Sequence, residues 1–413
     1  MTLNGLWRNA DFRRLWTGQT LSDVGTNMVA VVIPLLAAAD LGASAFEIGV
    51  ISAVEFLPYI LVSLFVGVWL DRSAKRPIIV LSDVVRAFAL VVIPITWWTG
   101  VLTVPLLIVI VFVVGMCSVV SDIGGAAILP GLVKREELVE GNSKLEISAS
   151  VSNIGGMTLG GILIQILTGP IVALIGVVTS LLAAFSTFRI AKRDEGPPEG
   201  EESILKEMSG GLRFVFGNVS VRTLAASSFL INFFAFVIEP VFLLFITRTL
   251  ALPASVIGII LAMTGVGSLV GALVAERASK LLPLGKLLVA VSAAIGLNAL
   301  LVPLAVFTPR PVTVALMLFT QFMYAVLVII ANVNIRSYRT AVTPDDLQGR
   351  MNAAVRMLVM SGAPVAAVIG GALGSLIGTA WALAVGAFGL LLVPLVIVLS
   401  PVARVRGVTE ASV

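Results

Sequence analysis

The chain contains no histidine, one cysteine and three tyrosines among its 413 residues, and charged residues make up only 12%. A soluble domain carries about twice that share of charge. Each shortage excludes something. Without histidine, proton handling falls to carboxylates, whose neutral form is favoured in a low dielectric. With Cys117 alone, and that one inside an apolar run, no disulfide framework exists. No HExxH, GxSxG or Walker loop is present, so neither a metal centre, a serine nucleophile nor a nucleotide site is legible, and no cofactor is expected. An intramembrane enzyme and an ATP-driven pump built on this chain alone are thereby disfavoured. The apolar runs do not alternate with polar residues as a membrane barrel requires.

Apolar residues are what the chain has in abundance, at 58%, with a mean hydropathy of +1.08. A spanning helix needs roughly 20 apolar residues. Segments near 15–39, 47–70, 78–98, 103–126, 146–167, 170–189, 221–247, 254–275, 286–307, 311–335, 351–376 and 378–400 qualify. The expected fold is an all-α membrane protein with twelve transmembrane helices in two pseudo-symmetric six-helix bundles. Residues 1–189 form the first bundle, 190–220 a polar linker and 221–413 the second. The first residues, "MTLNGLWRNADFRRLW", lack the apolar core of a signal peptide and read as an amphipathic lead-in on the membrane surface. In the linker, Ile204, Leu205, Met208, Leu212 and Val215 recur at helical spacing, which predicts a short interfacial helix.

The location of the basic residues explains the sequence pI of about 9.5. Of the 27 Lys and Arg, 23 fall in loops on one side of the predicted membrane. Arg248 and Arg310 fall on the other, and Arg86 and Arg356 lie inside spans. The positive-inside rule places the basic side, both termini and the linker in the cytoplasm. The basic balance is therefore topology and not a nucleic-acid footprint; a bacterial inner membrane is the expected location.

The two halves repeat in the same direction. "AFEIGVISA" at 45–53 echoes "ASVIGIILA" at 254–262; Gly49 to Gly258 is a shift of 209. Asn142 maps to Asn352 and Gly160-Gly161 to Gly370-Gly371, a shift of 210. A parallel repeat of six-helix halves with a small molecule bound between them is a secondary-transporter plan.

"GVWLDRSAKRP" at 67–77 lies in the cytoplasmic loop after span 2. Its Gly67-x-x-x-Asp71-Arg72 frame, followed by Lys75 and Arg76, resembles the signature loop of the major facilitator superfamily, with Ser73-Ala74 where a glycine is usual. "LWRNADFRRLWTGQTLSDVG" at 6–25, "LSDVVRA" at 81–87, the stretch 121–161 and "LQGRMNAAVRM" at 347–357 resemble the drug:proton antiporter branch, which includes macrolide efflux proteins and the enterobactin exporter. The resemblance implies alternating access, with helix 2 packed on helix 11 and helix 5 on helix 8. It implies that Asp71 faces the start of helix 11, where a carboxylate complements the helix dipole. Arg356 is then within reach of Asp71, Gly67 permits close backbone approach, and Asp122 is a candidate partner for Arg72. Glu146, offset by 210 from Arg356, would face Arg277. These residues form a candidate cytoplasmic gate, or they merely orient the interface.

The resemblance also implies that helices 1, 4, 7 and 10 line a cavity. Gln19, Asp23, Thr26 and Asn27 share one face of helix 1. Helix 4 offers Ser118, Ser121 and Asp122; helix 7 offers Ser228, Asn232 and Glu239; helix 10 offers Gln321, Tyr324 and Asn332. A mid-membrane ionisable group is costly and so a functional candidate. Asp23 leads the proton-coupling candidates, with Glu55, Glu239 and Asp122 as alternatives. Asp83 and Arg86, three apart on helix 3, are expected to pair. The reading is a secondary active transporter for proton-coupled efflux of amphipathic drug-like compounds, a monomer whose partners are protons, substrate and membrane lipids. A dedicated siderophore or lipid exporter is the alternative; a non-transporting receptor or scaffold has no need of carboxylates along a polar path.

Overall fold

The computed structural model describes residues 5–71, 73–134, 137–191, 212–344 and 347–405. Every long described element is a helix. They are α1 (Ala10–Ala39), α2 (Ala45–Leu61), α3 (Ser63–Asp71), α4 (Lys75–Trp98), α5 (Val104–Leu132), α6 (Leu138–Ile166) and α7 (Gly169–Phe188). After the linker come α8 (Val219–Leu244), α9 (Ala254–Leu281), α10 (Leu284–Leu304), α11 (Arg310–Val342), α12 (Gln348–Ser361), α13 (Ala363–Ile377), α14 (Thr379–Leu390) and α15 (Leu392–Val398). Eleven helices among the described residues are long and apolar enough to cross a membrane. The remaining span is α2 with α3, of 17 and 9 residues, joined at Val62, whose N–H still donates to the Pro58 carbonyl at 2.9 Å. Helices satisfy their own backbone groups, which is what lets them cross hydrocarbon.

Several helices run past the apolar windows into polar sequence. α5 reaches Leu132, α6 starts at Leu138, α9 ends at Leu281 and α11 at Val342. The N-terminal lead-in is a 3-10 turn over Gly5–Arg8 followed by the first turns of α1. Asn9 caps α1 by accepting from the backbone N–H groups of Asp11 and Phe12, so helix and span are continuous from Ala10. Phe12 and Leu15 are buried with Ile79, Ile128 and Leu129, and the Trp7 ring packs edge-on against Phe12 and Trp16. Of the predicted linker helix, Ile204, Leu205 and Met208 lie outside the described residues. The chain is helical over 212–217, where Val215 is buried with Val221 and Met351.

The chain divides into two compact units, Met1–Ala43 with Val54–Glu201, and Ser44–Ala53 with Glu202–Val413. In the first unit α1 packs on α6 and α7, and α4 packs on α5 and α7. In the second, α8 packs on α13 and α14, α9 on α11, and α10 on α11 and α14. Membrane helices approach closely where small residues face one another, and the repeat is visible in these contacts. A Cβ on Gly160 of α6 would lie 2.7 Å from the Met28 carbonyl oxygen of α1. Its mate Gly370 on α13 would place one 2.1 Å from the Val237 carbonyl oxygen of α8. The glycines are 210 apart and the facing residues 209 apart, so each unit repeats the same crossing. Segment 44–53, the start of α2, packs on α13 within the second unit, where the Phe46 N–H donates to Ser375 Oγ at 3.1 Å.

Candidate functional site

The polar residues of the first unit converge on α1. Asp23 and Asn27 are half-buried one turn apart. Asn27 Nδ2 donates to the Asp23 carbonyl at 2.8 Å, and Asn153 Nδ2 on α6 donates to Asn27 Oδ1 at 2.8 Å. One turn earlier, Thr20 and Ser148 share a hydroxyl contact of 2.5 Å. Gln19 lies across Gly125 of α5, where any Cβ would collide with its amide. The face carrying Asp23 is thus held on one side by amides and hydroxyls of α6 and on the other by α5.

On the adjacent face of α1 sits a buried ion pair. Arg86 and Asp83 of α4 are 1% and 2% exposed, with Arg86 Nη2 3.5 Å from Asp83 Oδ1. Arg86 Nη1 donates to Ser22 Oγ and to Thr26 Oγ1 at 3.1 Å, and Nη2 donates to Ser121 Oγ of α5 at 3.1 Å. Ser121 and Ser22 in turn donate to Asp83 Oδ1 at 3.1 and 3.4 Å. The expected Asp83–Arg86 pair is therefore present, and it recruits Thr26 and Ser121, two residues expected to line a cavity. Ser118 is buried and donates to the Val114 carbonyl of its own helix at 3.0 Å.

Asp122, next to Ser121, is half-buried and accepts from the Tyr59 hydroxyl of α2 at 2.7 Å. Glu55, one turn before Tyr59, is half-buried, and its carbonyl oxygen approaches Gly115 of α5. In the second unit Ser228 of α8 is buried, and its carbonyl accepts from Asn232 Nδ2 at 2.8 Å. Glu239 is exposed on α8, and Tyr324 of α11 lies within its electrostatic reach. Gln321 is half-buried and Asn332 exposed, both on α11. These groups are polar but uncharged except for Glu239.

Of the candidate gate, Arg72 lies outside the described residues. The backbones of Gly67, Asp71 and Glu146 are helical, and the description does not extend to their side chains. Arg277 at the end of α9 and Arg356 on α12 are exposed.

Some polar residues were missed in the sequence. Ser148, Ser152 and Asn153 on α6 face α1, and the i, i+4 spacing of the two serines was the available signal. Asn298 of α10, buried and donating to the Thr320 carbonyl at 2.9 Å, had no signal beyond being polar in a span. The run Glu276-Arg277-x-x-Lys280 repeats the spacing of Asp71-Arg72-x-x-Lys75, and its Glu276–Lys280 pair closes at 2.7 Å.

Apolar helices in two repeated sets, eleven of them long enough alone to cross a membrane and α2 with α3 making a twelfth span, are the architecture of a membrane transporter. Residues 15–339 match the family model for the Major Facilitator Superfamily, and the chain belongs to that family. It is a multi-pass membrane protein that moves small molecules and not an enzyme. It is 22% identical over 355 residues to the MFS-type transporter YvqJ of Bacillus subtilis (strain 168), covering 84% of this chain and 82% of that one. The fold resembles a bacterial homologue of the iron transporter ferroportin in its inward-facing state, with a TM-score of 0.73 at 16% identity over 96% of this chain and 99% of that one. It equally resembles a variant of the nucleoside transporter NupG, with a TM-score of 0.73 at 11% identity over 94% and 99% of the two chains.

Proposed function

We propose that the chain exports amphipathic, weakly cationic drug-like compounds in exchange for protons, by alternating access in a bacterial inner membrane. The observation that carries this reading is Asp23: an ionisable side chain, half-buried within α1 one turn before Asn27, whose amide donates to the Asp23 backbone carbonyl and accepts from Asn153 of α6, in a chain with no histidine to take its place. Competition between a proton and a cationic substrate for one carboxylate gives antiport directly. The mostly apolar walls suit a bulky amphipathic compound, whereas sugars and phosphates need fixed polar or basic groups. The resemblance of 6–25, 121–161 and 347–357 to the drug:proton antiporter branch supports the same substrate class.

In this reading 1–189 and 221–413 are the two moving bundles and 190–220 their cytoplasmic tether, and a single chain is the working unit. Gly67, Asp71, Arg72, Asp122 and Arg356 close the cytoplasmic side, with Glu146 and Arg277 as the pseudo-symmetric counterpart. The direct test is reconstitution into liposomes with ethidium as the probe. Ethidium should move against its own gradient when an opposing proton gradient is imposed, and a protonophore should stop it. Ethidium movement indifferent to the proton gradient overturns the reading.

A further inference from the structure

The first unit contains three Ser-Asp dipeptides, Ser22-Asp23 on α1, Ser82-Asp83 on α4 and Ser121-Asp122 on α5. All three serines are buried; Ser22 and Ser121 meet at the Arg86–Asp83 pair, and Ser82 joins it through Ser121. Arg86 donates to Ser22 and Ser121, both of those serines donate to Asp83, and Ser82 contacts Ser121 at 3.2 Å. Asp83 turns into this node. Asp23 and Asp122 each follow a captured serine by one residue, about 100° further round the helix, and both are half-buried rather than buried.

Whatever holds the serines therefore sets the direction of the two aspartates. On α1 the hold is at two points, because Arg86 Nη1 reaches both Ser22 and Thr26, one turn apart. Two contacts one turn apart on the same face fix the rotation of a helix about its axis. On α5 the hold is the Nη2 contact with Ser121. We propose that Arg86 is a positioning residue: its guanidinium fixes the rotation of α1 and α5, so that Asp23 and Asp122 are presented away from the node. The inference rests on the proposed role of these carboxylates in coupling.

Apolar side chains of similar volume often serve as well as a buried ion pair, or better. Arg86 also leaves its Nε buried and without a partner, which is costly. What such side chains lack is a rigid planar fork that donates in several fixed directions. Lysine lacks it too, carrying a single compact ammonium on a flexible stem. The other titratable groups around the node are few. Cys117 on α5 feels the charges of both Arg86 and Asp83. Asp23 and Asp122 flank the captured serines, and Tyr59 of α2 donates to Asp122. α7, which packs on both α1 and α4, carries no charged residue.

The test reads orientation without transport. In a Cys117→Ser protein in liposomes, Asp23→Cys and Asp122→Cys are introduced separately and the rate of alkylation by N-ethylmaleimide is measured against pH. Arg86→Lys should change the rate at both positions by about tenfold, the equivalent of about one pH unit in thiolate fraction. Thr26→Val, which removes one acceptor on α1 and keeps its shape, should change the rate at Asp23→Cys only. Asn232→Cys on α8 should be indifferent to both. In ethidium efflux, Arg86→Lys should displace the pH profile, whereas a simple loss of folded protein lowers the rate alike at every pH. Unchanged alkylation at both aspartate positions in Arg86→Lys and in Thr26→Val overturns the positioning role. A normal proton-driven efflux by Asp23→Asn overturns the coupling reading instead, and leaves the alkylation result to judge Arg86 on its own.

Discussion

Removing one partner of the Asp83–Arg86 pair should destabilise the first unit far more than removing both. The two side chains are 1–2% exposed and 3.5 Å apart. At an effective dielectric constant of about 20, unit charges at that distance attract by about 5 kcal/mol. Losing one partner of a buried pair costs roughly 3–5 kcal/mol, because the other charge is left uncompensated. In Asp83→Ala the guanidinium keeps only the hydroxyls of Ser22, Thr26 and Ser121. At roughly 2–4 °C per kcal/mol, the expected fall in the apparent Tm of purified protein is about 10 °C. In Asp83→Ala with Arg86→Met no charge is buried, and Ser82 and Ser121 still pair at 3.2 Å. The double variant should therefore recover at least half of the loss. A coupling below about 0.5 kcal/mol in the double-mutant cycle would show that the pair does not act as a unit, since residues in one salt-bridge network couple by roughly 0.5–3 kcal/mol.

Topology is checked by cysteine labelling in the Cys117→Ser background: Ser203→Cys should react only from the cytoplasmic side and Thr308→Cys only from the outer side. Asp71→Asn should cut transport strongly with the folded yield unchanged, and exchanging charges, Asp71→Arg with Arg356→Asp, should restore part of it. Full activity in Asp71→Asn contradicts the gate. Gly160→Val and Gly370→Val should each cost about 1–3 kcal/mol by overpacking, because their Cβ atoms would meet carbonyl oxygens at 2.7 and 2.1 Å; thermal unfolding of the two variants measures whether the repeated crossings matter equally.

The spans were legible because hydrocarbon demands long apolar runs, and each predicted segment contains or overlaps a helix of the structure. Their ends were less so. Hydropathy stops at the membrane surface, but backbone hydrogen bonding does not, so α5, α6, α9 and α11 continue into polar sequence. The same cause starts α1 at Ala10, behind the Asn9 cap and ahead of the apolar run. The breaks at Gly362 and Leu391 precede Pro364 and Pro394, where proline removes a backbone donor and restricts the residue before it. The i, i+3 spacing of Asp83 and Arg86 announced their pairing, yet not the recruitment of Ser22, Thr26 and Ser121. That depends on how three helices are rotated against one another, which the period of a single helix does not contain. Tyr59 on Asp122 and Asn153 on Asn27 were hidden for the same reason.

Whether Asp23 carries the exchanged proton is read from gradient-driven ethidium efflux by Asp23→Asn. The substitution keeps the size of the side chain and removes its titration. Asp23→Asn should lose movement driven by an imposed proton gradient while retaining ethidium binding or downhill exchange, and Asp23→Glu should retain part of the coupling. Undiminished proton-driven efflux by Asp23→Asn would rule Asp23 out and move the proton site to Glu55, Glu239 or Asp122.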